Sequence, residues 1–140
     1  MAEARERLLE RIVRLGDAGE ARQRESPFER VSASIRGHLM RILRTRRRSV
    51  PIAQDFGVPD LSNVAGSFES GSSVEIVRAV LETVARYEPR LLSPRVRALE
   101  TTTELGSLRL EISGEIFLGG QRWPVQFPAL VRASGEIVLL

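Results

Sequence analysis

The chain has 140 residues and no cysteine; this length suits one domain with a core of its own, and the lack of cysteine excludes disulfides and thiolate metal sites. No apolar run is long enough to span a membrane, and the N-terminus alternates Arg and Glu instead of forming a signal-peptide core. We therefore expect a cytoplasmic protein without direct membrane insertion. Every basic residue is arginine and the formal net charge is only +3, so the high isoelectric point is a weak argument for nucleic-acid binding.

The N-terminal part is predicted to be a charged helix followed by a polar connection. From Ala2 to Leu15, an apolar stripe runs among Arg and Glu side chains and comprises Leu8, Leu9, Ile12, Val13 and Leu15. Gly16 and Gly19 end the helical pattern. We assign residues 1–25 to this helix and linker, and the helix either docks on a neighbouring protein or packs on its own domain.

The second segment is predicted to be a helix that begins near Ser26. Ser26, Pro27 and Glu29 form the pattern of a capping box with proline at the first helical position. Apolar residues then recur at helical spacing: Val31, Ile35, Leu39, Ile42 and Leu43. The helix should end in the basic run that follows Leu43, because positive charge complements the negative end of the helix dipole.

His38 is the one histidine of the chain and lies in the middle of this second helix. No second histidine, cysteine or aspartate cluster accompanies it, so we expect a structural or solvated side chain and no metal site. The sequence also lacks nucleophile-elbow, phosphate-loop and dinucleotide-binding motifs. We therefore assign no catalytic, metal-binding or cofactor-binding residue and expect no cofactor.

A third helix is predicted after a long loop. The segment from Val50 to Gly71 is punctuated by proline and glycine, which favours an ordered loop. A capping-box pattern of Ser72 and Glu75 places the start of the helix near Ser72 or Ser73. Its apolar face consists of Val77, Val80, Leu81, Val84 and Tyr87. Pro89 should end the helix, because a residue before proline disfavours helical geometry.

The rest of the chain is predicted to form an antiparallel sheet. Strands are expected from Val96, over the alternating apolar residues Leu108 to Leu118, over Trp123 to Val131, and at Ile137–Leu140. Gly119-Gly120 is a hairpin signal, whereas Pro124 and Pro128 favour an edge strand or irregular pairing. The predicted class is α+β: N-terminal helices packed on a small, mostly antiparallel C-terminal sheet, with residues 26–140 as a single domain.

Two alternative functions depend on charged residues. A peptidoglycan glycoside hydrolase needs two carboxylates roughly 5–9.5 Å apart, and acidic candidates include Asp55, Asp60, Glu69 and Glu88. The second alternative is a small Arg-rich nucleic-acid-binding protein. The basic run from Thr45 to Arg48 would suit phosphate, but no aromatic residue interleaves it, so base stacking is unsupported. A solvated helix end or an acidic protein partner is the better interpretation, and we expect no nucleic-acid partner.

The stretch Tyr87-Glu88-Pro89-Arg90-Leu91 joins the third helix to the sheet. Pro89 restricts the backbone, so a rigid turn should set the directions of the Glu88 and Arg90 side chains. The simpler interpretation is a helix stop with both charged side chains in water.

Three motifs in order carry a family resemblance: Leu43 to Arg47, Asp55 to Leu61, and Tyr87 to Leu91. Together with the elements around them, they resemble the TssE family of type VI secretion baseplate subunits and, more distantly, the lysozyme-like baseplate wedge proteins of contractile phages. The resemblance extends from about Phe28 to the C-terminal strands. Arg44, Arg48 and Phe56 stand where the family often has Asn, Gly and Tyr.

The resemblance implies a structural protein and no enzymatic activity. Members of that family lie in the baseplate wedge beside TssF- and TssG-like proteins, at the cytoplasmic side of the inner membrane, and offer a platform on which the contractile sheath assembles. The Glu-Pro-Arg motif, here Glu88, Pro89 and Arg90, is then a protein-binding site. The sheath platform would need an exposed sheet edge, which the apolar C-terminal strand could supply by β-augmentation.

Overall fold

A computed structural model of the chain describes residues 3–11, 25–45, 70–99 and 107–140. The elements in chain order are helix α1 (Pro27–Arg44), helix α2 (Ser70–Tyr87) and strands β1 (Leu92–Leu99), β2 (Leu108–Leu118), β3 (Gln121–Val131) and β4 (Ile137–Leu139). The strands form one antiparallel sheet in the order β1-β2-β3-β4. The predicted α+β class with helices before an antiparallel sheet is confirmed.

Helix α1 begins where the capping pattern predicts. The Ser26 hydroxyl accepts a hydrogen bond from the backbone N–H of Glu29 at 3.2 Å, and the Glu29 carboxylate accepts one from the N–H of Ser26 at 2.7 Å. These bonds satisfy two donors that the first turn would otherwise leave unpaired. The predicted apolar face is buried: Val31, Ile35, Leu39, Ile42 and Leu43.

Helix α2 begins earlier than predicted and ends as predicted. Its first residue is Ser70, so Ser72 already lies inside the helix and is not the N-cap. The predicted loop overlaps the helix at Ser70 and Gly71, and the rest of that loop, with the motif Asp55 to Leu61, lies outside the described residues. The last residue of the helix is Tyr87, because Glu88 precedes Pro89 and leaves helical geometry. Ile76, Val80 and Val84 are fully buried against the sheet and α1.

Strands β2 and β3 form a long hairpin whose apolar side faces the helices. On β2 the buried residues are Leu108, Leu110, Ile112 and Ile116, and on β3 they are Val125, Phe127, Ala129 and Val131. Gly119 and Gly120 have φ values of +62° and +73°, which is the backbone of a type I′ turn. The period-two prediction is therefore confirmed on both strands.

Strand β3 lies between β2 and β4 in the sheet, but β4 pairs only with residues 129–131. At Pro124 and Pro128 strand β3 is thus paired with a strand on one side only, so the expected edge position is confirmed there. In a two-residue hairpin, Leu118 and Gln121 exchange backbone hydrogen bonds, and so does every second residue pair after them. Pro124 and Pro128 belong to the pairs in between, which exchange no backbone hydrogen bonds. Their missing N–H groups thus face away from β2. The carbonyl of Leu140 lies beside Pro128, which has no N–H to donate to it, and accepts a hydrogen bond from Arg36 Nη2 at 2.7 Å.

Strand β1 begins four residues earlier than predicted, at Leu92, and its pairing with β2 is irregular between Leu92 and Arg95. Ser93 has a φ of +48° at this irregularity. Gly114 on β2 is required beside it, because a Cβ there would lie 2.9 Å from the carbonyl oxygen of Leu92. The bend lets the chain leave the α2 corner and enter the sheet within a few residues.

The N-terminal segment packs against the sheet and α1. Residues 3–7 are not helical, which corrects the predicted helix start at Ala2, and residues 8–11 are helical. Ala4 is buried in the core and its N–H donates to the carbonyl of Phe117 at 2.7 Å. The predicted helix beyond Arg11 lies outside the described residues, and the division of the chain at residue 25 stays a prediction. None of the described helices has the length and hydropathy of a membrane span.

Candidate functional site

The candidate site is the corner between α2 and β1, where the chain turns through Glu88, Pro89 and Arg90. The backbone N–H of Glu88 still donates to the carbonyl of Val84 at 2.9 Å, so the last helical bond holds this residue in place. The N–H of Leu91 then donates to the carbonyl of Glu88 at 3.2 Å and closes the turn. Glu88 is completely buried, although it is a carboxylate.

Arg90 neutralises this buried carboxylate. Its Nε donates to Glu88 Oε1 at 2.9 Å and its Nη2 donates to Glu88 Oε2 at 3.0 Å. The two parallel bonds form the fork geometry in which arginine binds a carboxylate most strongly. The backbone N–H of Arg90 adds a third bond to Glu88 Oε1 at 3.2 Å. Pairing of this quality is what permits a charge to lie in a protein interior.

His38 supplies a second donor from α1. Its Nδ1 lies 2.7 Å from Glu88 Oε2, and the imidazole is buried. An ionised carboxylate can only accept, so Nδ1 carries the proton in this contact. Arg7 Nη2 lies 3.0 Å from the same nitrogen and cannot donate to it in that state. The positive charge of Arg7 therefore stands beside the cluster without a hydrogen bond to His38.

The pKa of Glu88 shows which effect dominates at the corner. Burial alone would raise this pKa, but hydrogen bonds from His38 and Arg90, together with their positive charge, lower it from 4.5 to about 2. The carboxylate is therefore ionised throughout the physiological range. It acts as a fixed acceptor that joins α1, the end of α2 and the start of β1.

The guanidinium of Arg90 extends the cluster toward the N-terminus. Its Nη1 donates to the hydroxyl of Ser34 at 2.7 Å and to the backbone carbonyl of Arg5 at 3.0 Å. The Ser34 hydroxyl in turn donates to Glu10 Oε2. All three donor atoms of this guanidinium thus bond within the chain. The arrangement is a structural network with one ionised carboxylate at its centre.

Glu88, Pro89 and Arg90, the triplet predicted to bind a protein, lie together in the structure but differ in their exposure to solvent. Pro89 is exposed, the Arg90 side chain is 14% exposed, and Glu88 is not exposed at all. The simpler interpretation, with both charged side chains in water, is therefore wrong. A partner of the folded chain would touch Pro89 and the margin of Arg90, and Glu88 would act through them. The protein-binding role of the triplet stays a prediction.

Sequence reasoning missed the side chains that complete this site: Arg5, Arg7, Glu10 and Ser34. They come from segments far apart in the sequence, so spacing gave no signal for them. His38 was expected to be structural or solvated, and its bond to Glu88 identifies the structural role. The only available signal was that a lone histidine inside an apolar helix face needs a buried polar partner.

The other predicted sites are only partly described. Arg44 and Thr45 end α1, whereas Arg46 to Arg48 lie outside the described residues, as do the acidic candidates Asp55, Asp60 and Glu69. Within the described residues, no three histidine, aspartate or glutamate side chains gather into a group that would hold a metal ion.

Comparison with known proteins identifies the fold and the family. The family model described as baseplate wedge protein gp25 matches residues 29–119. A chain of the structure described as the baseplate complex from the type VI secretion system has a TM-score of 0.59 and 22% identity, and the match covers 74% of this chain and 96% of that chain. A protein of Geobacter sulfurreducens assigned by name as a tail lysozyme has a TM-score of 0.53 and 24% identity, over 69% and 86% of the two chains.

No curated protein matches the sequence significantly. At these identities the two solved structures show the common fold and do not transfer a function. The family model covers well over half of the chain and includes the whole corner from Glu88 to Arg90. The chain therefore belongs to the family of the baseplate wedge protein gp25.

Proposed function

We propose that the chain is a structural subunit of the baseplate of a type VI secretion apparatus. In this proposal it acts in the cytoplasm, at the cytoplasmic side of the inner membrane, and joins TssF- and TssG-like wedge proteins to the contractile sheath. The observation that carries the proposal is the family match from residue 29 to 119. The fold shared with a chain of a type VI secretion baseplate complex supports the choice among contractile machines.

The chemistry of Glu88 supports a structural role. A glycoside hydrolase needs a carboxylic acid that is still protonated near neutral pH, and therefore a raised pKa. The pKa of Glu88 is lowered to about 2, and both of its oxygens are bonded to His38 or Arg90. This residue is thus unsuited to donate a proton to a sugar. The alternative of a peptidoglycan hydrolase draws on the similar fold of the Geobacter sulfurreducens protein, and turnover of purified cell wall would support it.

The corner supports a docking role that the buried carboxylate serves indirectly. Glu88 and Arg90 lock the backbone on both sides of Pro89, so the exposed ring is presented in one orientation. A rigid surface loses little conformational entropy when a partner binds. We propose that wedge proteins contact this rigid corner, and that Glu88 and Arg90 are positioning residues for it.

The sheet edge supports a role as a platform for the sheath. Strand β4 is the last strand of the sheet, and its apolar residues Ile137 and Leu139 are buried in the core. The strand therefore would offer its backbone edge, and not an apolar face, to an added strand. Amide exchange tests this step: the outward N–H groups of β4 should exchange quickly in the isolated chain and slowly in the presence of sheath protein. Full protection in the isolated chain would contradict the proposal.

Co-purification tests the assignment as a whole. The tagged chain is expressed with TssF- and TssG-like proteins from the same source, as wild type and as Glu88→Ala combined with Arg90→Ala, after circular dichroism shows that both are folded. We expect the wild type to retain the wedge proteins and the double variant to lose them. Binding by both versions would show that the triplet is not needed for this interface and would leave the proposed function standing. Failure of the folded wild type to retain either protein would contradict the proposed function.

A further inference from the structure

We propose that Pro124 closes one edge of strand β3 to strand pairing and so keeps the chain from pairing with a second copy of itself. The edge concerned is the side of residues 121–127 that faces away from β2, here called the open edge. The inference concerns the isolated chain, so it holds or fails independently of the proposed function.

The open edge exists because β3 is much longer than β4. All residues of β3, Gln121–Val131, pair with β2. Strand β4 pairs only with residues 129–131, and the N–H of Leu140 adds a hydrogen bond to the carbonyl of Pro128 at 2.9 Å. Within the described residues, no strand pairs with residues 121–127 on the side away from β2. A row of unpaired backbone groups of this kind is a template for another strand.

Apart from its proline, the sequence of the open edge favours strand pairing. It contains Trp123, Val125 and Phe127, whose residue types are frequent in strands. Trp123 is 42% exposed and therefore leaves apolar surface beside the edge. The one charged side chain of the segment, Arg122, forms an ion pair with Glu115 across the hairpin at 3.2 Å. Charge therefore gives this edge little protection against pairing.

Pro124 lies at the centre of the open edge, with its nitrogen on the side where a strand would be added. The backbone groups of Arg122, Pro124 and Gln126 point away from β2, because these residues belong to the pairs that exchange no backbone hydrogen bonds with it. At Pro124 the outward N–H is missing and the ring Cδ takes its place. An added strand would therefore have one carbonyl without a donor and would collide with the ring.

Pro128 has the same orientation as Pro124 but a different neighbour. Its backbone also points away from β2, yet Leu140 already lies opposite and donates its N–H to the carbonyl of Pro128 at 2.9 Å. The carbonyl of Leu140 is in turn bonded to Arg36 Nη2 at 2.7 Å. A second copy therefore cannot pair with β3 at this position. The two prolines form a matched pair, of which Pro124 lies on the open edge and Pro128 does not.

Sedimentation velocity of the purified chain and three variants, over a range of concentrations, tests this inference. Pro124→Thr restores the N–H with a residue type that favours strands. Because each copy then adds a hydrogen bond to the dimer, self-association should become at least about tenfold stronger than in the wild type. Pro128→Thr is the matched control and should associate no more than the wild type. Pro124→Thr combined with Gln126→Pro moves the proline along the same edge and should restore the behaviour of the wild type.

A folded Pro124→Thr variant that associates no more strongly than the wild type would overturn the inference. Equally strong association of Pro128→Thr or of the double variant would also overturn it, because the contact would then lie outside the open edge. Amide exchange supplies a second readout: the N–H groups of Arg122 and Gln126 should exchange more slowly in the Pro124→Thr dimer than in the wild type. If circular dichroism shows that Pro124→Thr does not fold, Pro124→Ala restores the same N–H and replaces it in every comparison.

Discussion

Glu88 and Arg90 form a bidentate ion pair across a single residue, with Arg90 Nε 2.9 Å from Glu88 Oε1 and Nη2 3.0 Å from Oε2. Pro89 between them turns the chain so that both side chains point back into the protein while its own ring stays exposed. The pair closes the junction of α2 and β1, and His38 and Ser34 connect it to α1. The motif predicted to bind a protein is thus a buried ion pair of Glu88 and Arg90, here called the brace, beneath the exposed ring of Pro89.

The first prediction concerns the stability of this brace. Glu88→Gln should destabilise the chain by about 3–5 kcal/mol, because it leaves the Arg90 guanidinium partly buried without its counter-charge. Urea unfolding at neutral pH, followed by circular dichroism, measures the difference.

The control for that prediction is Glu111→Gln. Glu111 pairs with Arg97 at 2.8 Å, but the Arg97 side chain is 70% exposed. A surface ion pair of this kind contributes less than about 1 kcal/mol. A loss for Glu88→Gln no larger than that for Glu111→Gln would contradict the role of Glu88 as a brace.

The second prediction concerns pH. The pKa of Glu88 is about 2 in the folded chain and 4.5 without its partners, so the ionised form stabilises the fold. This contribution is complete above about pH 5 and is lost as the pH falls from 4.5 toward 2.

Between pH 6 and pH 3 the contribution of Glu88 to the free energy of unfolding should fall by about 2 kcal/mol, since one pKa unit corresponds to about 1.4 kcal/mol. Other acidic groups add to the measured pH dependence, so the quantity to compare is the stability difference between wild type and Glu88→Gln. An equal difference at pH 6 and pH 3 would show that the pKa of Glu88 is not lowered.

The third prediction concerns Gly37, in the middle of α1. Gly37 is exposed, and a Cβ added there would meet nothing within 4 Å. Gly37→Ala should therefore stabilise the chain by about 1 kcal/mol, because glycine costs more backbone entropy than alanine in a helix. Thermal unfolding measures this gain. A loss of stability would mean that the face of α1 around Gly37 is covered within the isolated chain.

The fourth prediction concerns Gly114, where the same substitution should have the opposite sign. A Cβ there would lie 2.7 Å from Leu91 Cδ1 and 2.9 Å from the carbonyl oxygen of Leu92. Because one of these atoms is backbone, Gly114→Ala should cost about 1–3 kcal/mol through displacement of the β1 bend. The same thermal unfolding measurement checks it, with Gly37→Ala as the counterpart. A neutral result would mean that the start of β1 moves away at no cost.

The elements that sequence predicted well are those specified by local chemistry. The capping box of Ser26 and Glu29, the glycine pair of the hairpin and the alternating residues of β2 each act within a few positions. The predictions that failed depend on pairing with distant segments. Residues 3–7 are not helical because Ala4 bonds to Phe117. Strand β1 begins four residues earlier than predicted because Leu92 already pairs with Glu115 of β2.

In the candidate site, too, the local features were predictable and the contacts between distant segments were not. The corner itself was predictable, since Pro89 ends α2 and fixes the neighbours of the turn. The burial of Glu88 was not, because its partner His38 lies 50 positions away and a carboxylate next to proline is ordinarily solvated. Only the packing of α1 against α2 brings the imidazole and the carboxylate together.

Sheath assembly on purified wedge particles is the most direct test of the central claim that this chain joins the wedge to the sheath. Particles of TssF- and TssG-like proteins are prepared with and without the chain, and the growth of sheath fibres from them is counted by electron microscopy. We predict that fibres start from particles that contain the wild-type chain, and that particles without it start few or none. Equal numbers of fibres from both kinds of particle would contradict the account.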